Sequence, residues 1–142
     1  MSRTYIPVEL RRQVLAADQH RCAYCLSSEL LSGIPLSLDH ITPLSAGGEN
    51  LFDNLCSACR PCNEHKNNRR FAFDALSGAE VALFNPRTEA WADHCCWSKD
   101  GTHIEGLTAV GRATIVALKL NNSLIVKARA RWVSAGWHPP NV

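Results

Sequence analysis

Apolar and polar positions change period several times along the chain, and each change predicts an element. After Pro7, the segment VELRRQVLAADQH places Val8, Leu10, Val14 and Leu15 on an approximately helical stripe, which predicts a helix over residues 7–18. Residues 26–36 carry the turn signals Ser32-Gly33 and Pro35 and read as a loop. Leu36-Ser-Leu-Asp-His-Ile alternates apolar and polar side chains, a short strand ended by Pro43. Ser45-Ala-Gly-Gly-Glu-Asn is a turn in which glycine can take positive φ. From Pro61 a helix is expected to run to about Phe73, with Arg69 and Arg70 late in it. Residues 73–90 are mixed, with a turn at Asn85-Pro86. A hairpin is expected over Trp97–Leu107 around Ser98-Lys-Asp-Gly. Thr108 caps a helix over about 109–120, Asn121 or Asn122 breaks it, and a last helix covers 123–135 with Leu124, Ile125, Ala128 and Trp132 on one face.

Composition adds limits. With 142 residues, 46% hydrophobic and 20% charged, the chain reads as one ordinary domain or a small module with an appended segment. No apolar run reaches the ~20 residues that cross a bilayer, so no membrane association is expected. The opening MSRTYIPVELRRQ lacks an apolar core of the secretory type, which predicts a cytoplasmic, reducing setting in which paired cysteines bind metal. The formal net charge is only +2, but cations cluster: Arg60, Lys66, Arg69 and Arg70 stand against Glu64, and residues 106–142 hold Arg112, Lys119, Lys127, Arg129 and Arg131 without an acid.

The chemistry concentrates between residues 22 and 66. Cys22-Ala-Tyr-Cys25 and Cys59-Arg-Pro-Cys62 are two Cys-x-x-Cys pairs, the pattern of a four-thiolate zinc site. Cys56 forms an overlapping Cys-x-x-Cys with Cys59. Residues 26–58 between the pairs must then be a structured insertion, and they carry Asp39-His40, Gly47-Gly48 and Asn54. Asn63 follows Cys62 directly. Asp-His alone is a common dipeptide, Asn54 alone a turn or cap residue, and Asn63 alone a helix-start residue; the joint spacing carries the signal. The aromatic and sulfur-rich run Trp91, His94, Cys95, Cys96, Trp97 is expected to be core rather than a second metal site.

This arrangement resembles the HNH endonuclease family in its zinc-bearing form. The resemblance implies an α+β chain: a ββα-metal (HNH, His-Me finger) nuclease module stapled by a four-Cys zinc site over residues 1–72, with an α-rich C-terminal extension over 73–142 packed on it. It implies a metal-dependent endonuclease acting on DNA, with His40 as general base near neutral pH. Asp39 and Asn63 would be oxygen ligands of a catalytic Mg²⁺ or Mn²⁺, and Asn54 is grouped with His40 as the residue that holds its loop and orients it. Cys22, Cys25, Cys59 and Cys62 would bind a structural Zn²⁺; Cys59 and Cys62 are preferred over Cys56 because the family's pair immediately precedes the His/Asn ligand. Arg60, Lys66, Arg69, Arg70, Lys127 and Arg131 are expected to contact DNA. The alternative class is a catalytically silent zinc-stabilised nucleic-acid-binding module. Sequence preference, nicking against double-strand cutting and oligomeric state are not legible in the residues.

Overall fold

A computed structural model describes residues 5–141. The chain divides into two compact units, residues 1–70 with 85–87, and residues 71–84 with 88–142.

The first unit opens with helix α1 (Val8–Ala17), which buries Val14 and leaves Val8 exposed. A knuckle at Arg21–Ser28 follows, with Leu26 in left-handed backbone (φ 62). The predicted loop after it contains a one-turn helix, α2 (Glu29–Ser32), capped by the Ser28 side chain and stopped by Gly33. Strands β1 (Ser37–His40) and β2 (Leu55–Ala58) pair antiparallel, with Asp39 opposite Cys56 and His40 opposite Leu55. Helix α3 (Arg60–Lys66), with Pro61 in its first turn, packs on β1. These three elements form the ββα motif, and α1 covers β2. Asn85–Arg87 belongs to this unit because Arg87 grips the Asp18 carboxylate at 2.9 and 3.0 Å and lies over the Phe52 ring.

Helix α3 ends earlier than the sequence suggests. Asn67 takes φ 53 and breaks it, so Arg69 and Arg70 lie beyond the helix. Phe71-Ala-Phe-Asp is a strand instead, as its aromatic alternation allows. In the second unit, β3 (Phe71–Asp74) and β4 (Ala79–Ala82) form a hairpin not foreseen from the sequence. A short helix α4 (Trp91–His94) leads into β5 (Cys95–Trp97), which pairs with β6 (Ile104–Gly106). Thr108 caps α5 (Ala109–Ala117) and Asn122 caps α6 (Ser123–Ser134). The buried face of α6 carries Arg129 and Trp132, whereas Leu124, expected on that face, is 78% exposed. Trp91 and Trp97 stack at 5.6 Å, and His138 meets Trp97 and Trp132 edge-on. Among the described residues, no helix is long and apolar enough to cross a membrane.

Candidate active site

The sulfur cluster is built by two backbone turns. The knuckle closes through Leu26 N–H to Cys22 O and Cys22 N–H to Ser27 O, and it docks on β2 through Ala23 N–H to Ser57 O. It presents Cys22 and Cys25 to Cys59, at the cap of α3, and Cys62, in its first turn. The four Sγ atoms lie within 4.8 Å of one another, with Cys25 and Cys59 at 3.6 Å. Tetrahedral Zn–S bonds of about 2.3 Å place sulfurs about 3.8 Å apart, so the donor set fits such an ion. Burial pushes the Cys22 thiol up, whereas hydrogen bonding from Cys22 holds Cys25 well below the ordinary value. The cluster could hold a metal ion. Cys56 is elsewhere: its Sγ faces the Tyr24 hydroxyl and Asp39, and burial pushes its thiol up. Among the described residues, His94, Cys95 and Cys96 form no metal-binding group; His94 instead bonds the Thr108 hydroxyl at 2.7 Å.

Strand alternation divides the Asp-His pair. Asp39 points inward and is 3% exposed, while His40, at the strand's last position, is half-buried. Asp39 Oδ2 accepts from the Tyr24 hydroxyl at 2.7 Å and from Lys66 Nζ at 3.1 Å. Its Oδ1 meets Lys66 only at a long 3.4 Å. Burial, the buried Cys56 thiol and Asp39 push the Tyr24 phenol well up, so it stays a donor. Asn63, on α3, donates through its amide nitrogen to Ser37 Oγ at 2.9 Å and to the Leu38 carbonyl at 3.2 Å. This ties α3 to the strand beside Asp39 and leaves the Asn63 amide oxygen available. A carboxylate and an amide oxygen are hard donors suited to Mg²⁺ or Mn²⁺, which keep several of their waters.

Lys66 corrects an expectation. The residue read as a phosphate contact is 2% exposed, and its ammonium bonds Asp39 and the His40 and Ile41 carbonyls. An unpaired buried ammonium would be costly, and these acceptors are what hold it in place. Arg60, Arg69 and Arg70 are exposed; Arg60 pairs with Glu64, and Arg69 donates to the His65 carbonyl. Lys127 and Arg131, four apart on α6, are exposed.

Asn54 fixes the loop after β1. Its side chain accepts from Thr42 N–H at 2.8 Å and donates to the Thr42 and Glu49 carbonyls at 2.9 and 3.0 Å. Its amide group is thus engaged with the backbone on both sides of the loop. Gly47 takes the positive φ of 90 that the Gly-Gly turn requires, whereas Gly48 is there for space: a Cβ would collide with the Thr42 carbonyl and stand 2.8 Å from the Asn54 amide.

Sequence reasoning missed Asn50. Its amide nitrogen donates to the Tyr5 carbonyl at 2.7 Å, which fixes the amide's orientation, because a carbonyl only accepts. Its oxygen therefore faces His40 Nε2, at 2.6 Å. An amide oxygen also only accepts, so Nε2 carries a proton, and in the neutral ring Nδ1 then holds the lone pair. Nothing local in the sequence marks this pairing across ten residues.

The HNH endonuclease family model matches residues 22–69. Over 86 residues the chain is 34% identical to the CRISPR-associated endonuclease Cas9 of Corynebacterium diphtheriae; the match covers 57% of this chain and 8% of that protein's length. No solved structure matches the chain. Residues 22–69 thus carry an HNH endonuclease domain.

Proposed function

We propose that the chain is a metal-dependent endonuclease that hydrolyses DNA phosphodiesters, with His40 as general base. The observation that supports this best is the end of β1, where Asp39 turns inward, His40 turns outward, and α3 brings Asn63 onto the same strand. Asp39, through Oδ1, and Asn63, through its amide oxygen, would hold Mg²⁺ or Mn²⁺, which when bound would meet charge on the phosphoryl and leaving oxygens. His40 takes a proton from the attacking water at Nδ1, with Asn50 holding the opposite tautomer out. Tyr24 and Lys66 fix Asp39, and Asn54 fixes the loop behind His40. Cys22, Cys25, Cys59 and Cys62 would hold a structural Zn²⁺, in a reducing compartment such as the cytoplasm. Arg60, Arg69 and Arg70, with Lys127 and Arg131 on α6, contact backbone phosphates without reading sequence.

The test is relaxation of supercoiled plasmid with Mg²⁺ or Mn²⁺. His40→Ala is expected to slow cleavage by about 10²–10⁴-fold, the range of general base catalysis, with DNA affinity unchanged. Cleavage near the wild-type rate in the folded variant removes His40 from the role. Binding without cleavage by the wild-type chain, with either ion, would instead favour a silent binding module.

A further inference from the structure

Asn85–Arg87 follows the β3–β4 hairpin in the chain but belongs to the first unit. Asn85-Pro86-Arg87 is a turn: proline fixes its own φ, and the Asn85 amide oxygen accepts the Arg87 N–H at 2.9 Å. The turn sets the Arg87 guanidinium against two elements at once. Nη1 and Nη2 donate to the two Asp18 oxygens at 2.9 and 3.0 Å. Nε donates to the Phe52 carbonyl at 3.3 Å, and the fork lies 4.5 Å from the centre of the Phe52 ring. Both charged side chains are 9% exposed. Asp18 caps the end of α1, and its Oδ2 also accepts the Ser57 N–H of β2 at 2.7 Å. Arg87 thus fastens the turn Phe52–Asn54 to a carboxylate that is itself anchored on β2.

That turn carries Asn54. The Asn54 carbonyl accepts the Ile41 N–H at 2.9 Å, and the Asn54 side chain accepts the Thr42 N–H at 2.8 Å. Ile41 and Thr42 directly follow His40. We propose that Arg87 is a positioning residue for the reaction. It holds the Phe52–Asn54 turn, and through Asn54 the segment after His40, where the imidazole meets the attacking water. The inference rests on the nuclease reading above, and Arg87 lies outside residues 22–69, the stretch matched by the family model. The donor count favours this task over plain charge pairing. Two donors satisfy Asp18; the third, on Phe52, adds nothing to that pair and fixes where the turn sits. A lysine could neutralise Asp18, but a point charge cannot hold both carboxylate oxygens and the Phe52 carbonyl in one plane. A misplacement of about 1 Å, even one that starts far from the chemistry, can cost about 10²-fold in rate.

The experiment compares the full wild-type chain with Arg87→Met/Asp18→Asn and with Arg87→Lys. The double variant removes the pair together, so no buried charge is stranded, and the asparagine still offers an oxygen to the Ser57 N–H. Amide hydrogen exchange reads the loop without any cleavage. The Ile41 and Thr42 amides should exchange about 10-fold faster or more in both variants. The Cys22 and Leu26 amides, which close the cysteine knuckle, should keep their protection, and zinc content should hold. Plasmid relaxation at saturating DNA, below the melting temperature of every variant, should slow about 10-fold or more with DNA affinity unchanged. Adding the Arg87→Met/Asp18→Asn change to Asn54→Ala should slow cleavage no further, because both act on one loop. Unchanged exchange at Ile41 and Thr42 overturns the inference. An equal rise at Cys22 and Leu26 also overturns it, as that makes Arg87 a general clamp. Full recovery in Arg87→Lys, or rate losses that multiply independently with Asn54→Ala, would do the same. A wild-type chain that cuts no plasmid overturns the nuclease reading and with it the role in the reaction. The exchange arm still reports whether Arg87 holds the loop, so the two failures give different results.

Discussion

The two units bury charge in opposite ways. In the first, Asp39 and Lys66 are both almost fully buried and converge on the end of β1, beside a half-buried imidazole. In the second, Arg129 is fully buried and donates to the Thr102 and Leu120 carbonyls and to Asn121 Oδ1, beneath the Trp97 ring. Arg129 ties the β5–β6 hairpin to the chain between α5 and α6, a purely internal task. The Asp39 network leaves one carboxylate oxygen weakly used. Burial alone therefore does not mark a functional charge; the proposed role of Asp39 rests on that unspent bonding capacity beside an imidazole.

The cores differ in the same sense. The first unit is sulfur-rich, with Cys22, Cys25, Cys56 and Cys62 among its buried side chains; the second is aromatic, with Trp91, Trp132 and Phe84. A core of small thiols gains little from packing and needs a cross-link, whereas large rings contribute area directly. All four tryptophans, Trp91, Trp97, Trp132 and Trp137, fall in the second unit, so their emission reads that unit and metal content reads the first.

The largest effect is expected at the cysteines. Cys22→Ser should abolish bound zinc in protein purified without added metal, and with it the fold of the first unit, because binding worth about 10–16 kcal/mol in small zinc modules is also folding energy. Cys56→Ser should leave zinc in place, as its sulfur faces Tyr24 rather than the cluster. Zinc lost from Cys56→Ser and kept by Cys22→Ser would erase the contrast between the two cores.

Arg129→Ala comes next. It strips donors from three acceptors, at about 1–3 kcal/mol for each one left buried and unpaired. Thermal melting followed by tryptophan emission should fall sharply, while zinc content holds. A melting temperature within error of wild type would mean that this arginine is not the clamp its contacts describe.

Asn50→Ala should slow cleavage about 10-fold, the lower end for residues that orient a functional ligand. Asn50→Asp, which keeps an acceptor for Nε2, should recover part of the rate and move the pH profile to higher pH, since a carboxylate favours protonated imidazole. Equal rates in both variants, with an unchanged pH profile, would show that Asn50 does not position His40.

The sequence made the capped elements legible. Thr108 and Asn122 mark the starts of α5 and α6, and Asp39-His40 with Pro43 marks the end of β1, because these signals act within a few residues. It hid whatever depends on distant partners. The β3–β4 hairpin was read partly as helix, since nothing before Asn67 announces its left-handed backbone. Lys66 was read as exposed, as lysines generally are, although it stands three residues after Asn63 and so shares its helix face. Nothing in the sequence singles out Tyr24, which is 1% exposed and holds Asp39. The four-thiolate pattern was visible from spacing alone, but the way Cys56 turns to Tyr24 was not.

The smallest effect separates Asp39 from its counterpart Asp74, an equally buried carboxylate in the second unit. Both Asp74 oxygens are taken by one guanidinium, and Ser77 adds a third bond. Arg112 holds the Asp74 carboxyl well below its usual range. A depressed carboxyl contributes stability above the unfolded value near 3.9, and that contribution is lost as pH falls through the lower folded value. Asp74→Asn should therefore lower the tryptophan-monitored melting temperature at neutral pH, by an amount that stays constant down to about pH 4 and shrinks in stronger acid. Added salt should also reduce it, since Arg112 is partly exposed. A difference that is the same in strong acid and at neutral pH would assign the effect to packing rather than charge. The matching change, Asp39→Asn, removes the oxygen charge proposed for the catalytic ion and should show in cleavage first. If Asp39→Asn cleaves like wild type and differs only in melting, Asp39 is a structural partner of Lys66, and the two carboxylates do the same job.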